Sequence, residues 1–168
     1  MKKRISNQKI TPNLWFNTNA EEAVNFYLSI FKNSKISRIA RYGKEGVDIH
    51  GMPEGSVMII EFLLDGQEFV ALNGGPHFRF NEAVSFIVNC DTQEEVDHYW
   101  SKLGEGGDPK AQMCGWLKDK FGLSWQVVPT ILTELMLDKD PRKAANVMNT
   151  MLKMKKLDIA PLEEAYAR

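Results

Sequence analysis

CGWLKDKFGLSWQVVP, residues 114–129, reads as a strand, a tight turn and a second strand. Asp119, Lys120, Phe121 and Gly122 carry the turn, where a short acceptor side chain and a glycine let the chain fold back on itself. Trp116 and Trp125 supply bulky apolar contacts on the two strands. Side chains alternate along a strand, so Gln126 is expected to point to the face opposite Trp125 and Val127.

Upstream of this hairpin, residues 83–89 read as a strand, and Thr92, Gln93, Glu94 and Glu95 as a capped helix start. The apolar stripe Val96, Tyr99, Trp100 and Leu103 follows, and Gly104 ends the helix. The first half repeats this order. A strand over residues 10–17 carries Ile10, Pro12, Leu14 and Phe16 on one face, and Asn19 caps a helix with Ala23, Phe26, Tyr27, Ile30 and Phe31 on its stripe. Residues 36–42 read as the next strand, residues 43–55 as a long mobile connection, and 57–64 and 68–72 as two strands joined at Asp65 and Gly66. Glu21 matches Glu94 and Phe26 matches Tyr99 at one offset of 73 (94 − 21 and 99 − 26), which also sets Pro12 on Ser85 and Leu14 on Ile87. A shared offset across strand and helix points to duplication. Only residues 104–113 separate the second helix from the hairpin, so the second copy's outer strand is expected to be abbreviated or lost.

Downstream, residues 131–137 read as a short helix. Asp140 and Pro141 open a longer one by the preference for proline at the first helical position. Its stripe of Ala144, Val147, Met148, Met151 and Leu152 must be buried on the domain or on a partner subunit. Residues 161–166 read as a last short helix. The expected fold is α+β: two βαβββ modules, at about 10–75 and 82–130, forming open, curled sheets within a domain of residues 1–130, with a helical extension over 131–168.

A chain of 168 residues, 43% hydrophobic, buries a core without disulfide staples. Its 21 basic and 22 acidic residues leave no charge excess to attract nucleic acid or an anionic membrane. The cationic runs Lys2-Lys3-Arg4 and residues 153–156 read as a chain terminus and a solvated helix end. Cys90 and Cys114 lack CxxC spacing and read as thiols in a reducing cytosol. No signal peptide or bilayer-length apolar run is present, so a soluble, cytoplasmic protein is expected.

The stretches LWFN (14–17), AEEAVNFY (20–27), VSFIVNCD (84–91) and DKFGLSWQ (119–126) resemble the PhnB-like branch of the vicinal oxygen chelate superfamily of glyoxalases and bleomycin-resistance proteins. That branch is often labelled 3-demethylubiquinone-9 3-methyltransferase. The resemblance implies a cavity between each sheet and its partner module, commonly completed in a homodimer. It also implies four inward metal-ligand positions, usually His, Glu, His and Glu, which fall here on Pro12, on Ala71 or the adjacent Val70, on Ser85 and on Gln126. None offers a strong ligand, because proline, alanine and valine have no side-chain donor atom and serine and glutamine are neutral. No metal and no cofactor are therefore expected.

His50, His77 and His98 show no ligand spacing; His77, after Asn73-Gly74-Gly75 and before Phe78, sits where a loop could close over a cavity mouth. A site for S-adenosylmethionine needs a glycine-rich turn between a strand and a helix. Gly104-Glu105-Gly106-Gly107 follows a helix, and Asn73-Gly74-Gly75 leads toward another strand. The reading is a metal-independent small-molecule binder with Trp15, Ala71, Asn73, His77, Phe78, Ser85, Trp116, Trp125 and Gln126 as pocket-lining candidates and no catalytic residue assigned. The alternatives are an enzyme of the superfamily, of lyase, isomerase or dioxygenase type, using His77, Asp119 or Gln126, the methyltransferase that the family label names, or a chiefly structural dimer.

Overall fold

Strand β4 (Gln67–Asn73) shows the alternation that builds the first sheet: Phe69, Ala71 and Asn73 are buried, and the residues between them are half-exposed. The computed structural model describes residues 8–168, and the Lys2-Lys3-Arg4 run lies outside them. The chain divides into two units, one ending at Arg79 and one beginning at Phe80. Among the described residues, no helix is long and apolar enough to cross a membrane.

In the first unit, β1 (Asn13–Phe16), α1 (Ala20–Ile30), β2 (Lys35–Arg41), a short α2 (Val47–His50), β3 (Val57–Leu64) and β4 form the βαβββ order. The sheet runs β1-β4-β3-β2, with β1 parallel to β4 and the other pairs antiparallel. Ala23, Val24, Tyr27 and Ile30 of α1 are buried with Leu14, Phe16, Ile60, Phe62 and Ala71 of the strands. The expected cap from Asn19 does not form. Instead the Ala20 N–H donates to Asn73 Oδ1 at 2.9 Å, while Asn73 Nδ2 donates to Val57 O at 3.0 Å. A buried amide 53 residues away in sequence thus anchors both the helix start and β3. The connection over residues 43–55 contains α2 and is held by His50, whose Nδ1 accepts the Met52 N–H at 3.0 Å.

The second unit contains β5 (Ser85–Cys90), α3 (Gln93–Gly104), a 3₁₀ turn at Pro109–Ala111, β6 (Trp116–Lys118) and β7 (Ser124–Pro129), followed by α4 (Thr130–Met136), α5 (Pro141–Met151) and α6 (Ile159–Tyr166). Its sheet has three strands, ordered β5-β7-β6. The module is therefore βαββ; the 3₁₀ turn stands where the first module has β2. A Cβ on Gly107 would lie 2.1 Å from Lys118 O, so glycine lets this connection run flush along β6.

The C-terminal helices dock on the second unit. Leu132, Leu135, Val147, Leu157 and Leu162 form a buried cluster against which Val128 of β7 packs. The Cys114 and Gly115 N–H groups donate to Met154 O and Lys155 O at 2.9 and 2.8 Å. Gln93 Oε1 accepts the first N–H of α6, from Ile159, at 2.8 Å. Lys156 bridges Asp97 and Asp158; those hydrogen bonds raise the lysine's pKa, and the bond from Lys156 lowers that of Asp97. The lysine run at residues 153–156, read as a solvated helix end, is thus part of the clamp.

One offset does not fit both elements. Ala23 and Val96, and Ile30 and Leu103, are buried equivalents at 73, but that offset pairs Leu14, 5% exposed, with Ile87, 56% exposed. The buried pairs Leu14 with Val88 and Phe16 with Cys90 need 74 (88 − 14 and 90 − 16). Three residues (17–19) join β1 to α1, and two (91–92) join β5 to α3. With a period of two, that single residue turns every strand side chain to the other face.

The hairpin between β6 and β7 closes on Asp119, 2% exposed. Its Oδ1 accepts the N–H groups of Phe121 and Leu123 at 2.8 and 3.0 Å, and its Oδ2 accepts the Trp125 indole N–H at 2.9 Å. Asp119→Ala leaves three donors without their acceptor and is expected to destabilise the protein by about 3 kcal/mol. Urea denaturation followed by tryptophan fluorescence checks this, and a loss below about 1 kcal/mol would show that the turn holds itself.

Candidate functional site

The parallel register of β5 on β7 sets Ile87 beside Gln126, and the antiparallel register of β6 sets Trp116 beside it on the other side. Trp125 and Val127 are buried on the α3 side, at 3% and 0% exposure, so Gln126 presents to the opposite face. Its Nε2 donates to Ser85 Oγ at 2.9 Å. On that face Ser124 alternates with Gln126; its hydroxyl is buried and has no hydrogen-bond partner. Ser85, Gln126 and Trp116 thus stand together on the face of the second sheet opposite Trp125 and Val127. Trp125, a candidate from sequence, does not join them: its ring belongs to the core and its N–H to Asp119.

In the first unit, Trp15 donates its indole N–H to Gly75 O at 2.9 Å and meets Phe78 edge-on at a centroid distance of 4.9 Å. A Cβ on Gly74 would lie 2.2 Å from the Trp15 ring, so glycine is what lets the indole lie on this turn. Trp15 and Phe78 therefore form one aromatic corner beside Gly75, while His77 is exposed. Ala71 is fully buried on the α1 side, and Asn73 is committed to Ala20 and Val57. The strand offset of 74 makes Val70, one of the two alternatives, the counterpart of Gln126, and Thr11, in place of Pro12, that of Ser85.

The corrected set of Thr11, Val70, Ser85 and Gln126 does not fit a divalent ion. Valine has no donor atom, and three neutral oxygens carry no charge to offset the ion's dehydration. Among the described residues, no group of three or more His, Cys, Asp or Glu side chains is placed to hold a metal. Nor does Asn73-Gly74-Gly75 fit S-adenosylmethionine: Trp15 lies against Gly74, and the next regular element is β5, not a helix.

Residues 8–128 match the family described as 3-demethylubiquinone-9 3-methyltransferase. The chain belongs to that family. It is the PhnB-like branch of the vicinal oxygen chelate superfamily. A solved PhnB protein from Bacillus cereus, which carries the family's description, is 40% identical, and the match covers 73% of this chain and 100% of that one with a TM-score of 0.62. Two more distant structures share the fold. PA1353 from Pseudomonas aeruginosa is 21% identical over 73% of this chain and 98% of its own, with a TM-score of 0.55. The fosfomycin resistance protein FosX from Listeria monocytogenes is 15% identical over 79% and 98%, with a TM-score of 0.53. No curated protein matched.

Sequence reading missed a cavity of about 380 Å³ in the first unit, bordered by Thr18, Glu21, Arg41, Met52, Val57 and Asn73. Its lining comes from four separate stretches of chain, and no local motif marks it.

Both cysteines are free. Burial pushes the Cys90 thiol up to about 12, and the carboxylates of Glu95 and Asp91 add to the shift. A thiol with a raised folded pKa stays protonated, so its contribution to stability is intact below the unfolded value and is lost as pH climbs toward about 12. At pH 8, Cys90 in the native protein is expected to be inert to dithionitrobenzoate over an hour and to react in guanidinium, as followed by mass-mapped labelling. Rapid native labelling of Cys90 would contradict its burial.

Proposed function

We propose that this protein binds a small organic molecule without a metal ion, on the face of the second sheet that carries Gln126. The observation behind this reading is the Gln126–Ser85 hydrogen bond. It pairs two neutral side chains where the resemblance leads one to expect charged ligands. Trp116, half-buried on the same face, offers a ring for stacking, and Ile87 offers an exposed apolar neighbour. The unpartnered Ser124 hydroxyl adds a polar group that the protein leaves unsatisfied. A ligand held here meets hydrogen-bonding and stacking groups but no Lewis acid. Homodimerisation belongs to the same proposal, as a common way for this fold to close a cavity.

The test is a thermal-shift screen of aromatic metabolites and antibiotics, run with and without EDTA and paired with metal analysis of untagged protein. A true ligand at about 100 times its Kd is expected to raise Tm by roughly 5–10 °C. The shift should be unchanged by EDTA and largely lost in Gln126→Ala. Stoichiometric metal, or a shift that EDTA abolishes, would overturn the reading.

A further inference from the structure

The cavity in the first unit has a chemistry of its own, and the inference drawn from it goes beyond the reading above. Its floor includes the apolar side chains Met52 and Val57, 6% and 7% exposed, and the amide of Asn73. That floor is fixed. Met52 is held through its N–H to His50, and Val57 and Asn73 are held to each other through the Asn73 amide. The rim carries one anion and one cation, Glu21 at the start of α1 and Arg41 at the end of β2. Arg41 donates from Nη1 to Gly55 O at 3.0 Å, which leaves most of its five N–H donors unused. No ion pair joins Glu21 to Arg41 among the described residues. Thr18 places a hydroxyl on the same rim.

Two opposite charges around one concavity discriminate against ligands of a single sign. A simple anion that reaches Arg41 also meets the Glu21 carboxylate, and a simple cation is repelled by the guanidinium. A molecule carrying both charges a few bonds apart satisfies both groups, and a short apolar side chain on it covers Met52 and Val57. A volume of about 380 Å³ lies at the small end of ligand pockets, as such a molecule requires. We propose that this cavity binds a small zwitterion of the α-amino-acid class, with its carboxylate on Arg41, its ammonium on Glu21 and its side chain over Met52 and Val57.

The test is amide-resolved NMR titration of the full chain with three probes: L-leucine, leucine amide, which lacks the carboxylate, and 4-methylpentanoate, which lacks the ammonium. L-leucine is expected to shift the Thr18, Glu21, Ser56 and Asn73 amides, and each single-charge probe to bind at least roughly tenfold more weakly. Arg41→Gln and Glu21→Gln should each weaken L-leucine by a similar factor while keeping the dispersed spectrum of a folded protein. Gln126→Ala should leave this titration unchanged, so failure here is distinguishable from failure of the reading above. The proposal is overturned by the absence of leucine-induced shifts at those amides, by equal binding of a single-charge probe, or by indifference to both rim substitutions.

Discussion

The carboxylate of Asp119 is the interaction on which the second unit depends. By accepting from two turn amides and the Trp125 indole, it ties the hairpin's closure to the placement of its largest core ring. Strand side chains alternate, so fixing Trp125 inward fixes Gln126 outward. The parallel register on β5 then brings Ser85 within hydrogen-bonding reach. The same strand leads through Val128 and Pro129 into the helices that close the unit, with Gly115 accepting from β7 and donating to residue 155. A turn residue that sequence reading weighed as a possible acid–base group is the structural lock of its module.

What was legible in the sequence was local. The Asp119-to-Gly122 turn, the alternation in residues 57–64 and 68–72, and the proline at the start of α5 each act within a few residues, and each element formed. What was hidden depends on partners far along the chain. Asn19 satisfies the rules for a cap, yet Asn73 does the capping, because folding brings a buried amide to the helix start. Gln93 does the same for α6 from 66 residues away. The duplication was visible, but its strand register was not. One residue fewer between β5 and α3 leaves the helical stripe aligned and flips the strand, which puts Thr11 in place of Pro12 and favours Val70 over the alternative Ala71. The cavity beside Arg41 is assembled from the end of one strand, the start of the next, the start of a helix and the end of β4, so no window of sequence contains it.

The two units carry different polar chemistry on related scaffolds. The second presents uncharged hydrogen-bonding groups, Gln126 and Ser85, which carry no charge to offset a cation's dehydration. The first presents one carboxylate, Glu21, and one guanidinium, Arg41, around a cavity with an apolar floor. Both follow from side chains placed on a framework whose core positions, Val96 against Ala23 and Cys90 against Phe16, are equivalents of different size.

The metal-free reading of the Gln126 face makes a direct prediction about divalent ions, and anomalous diffraction from crystals soaked in manganese or zinc checks it. The expected map has no peak within coordinating distance, about 2.0–2.6 Å, of Gln126 Oε1 or Ser85 Oγ, with the Gln126–Ser85 hydrogen bond intact. An ordered peak there, with the glutamine turned to ligate it, would contradict the account.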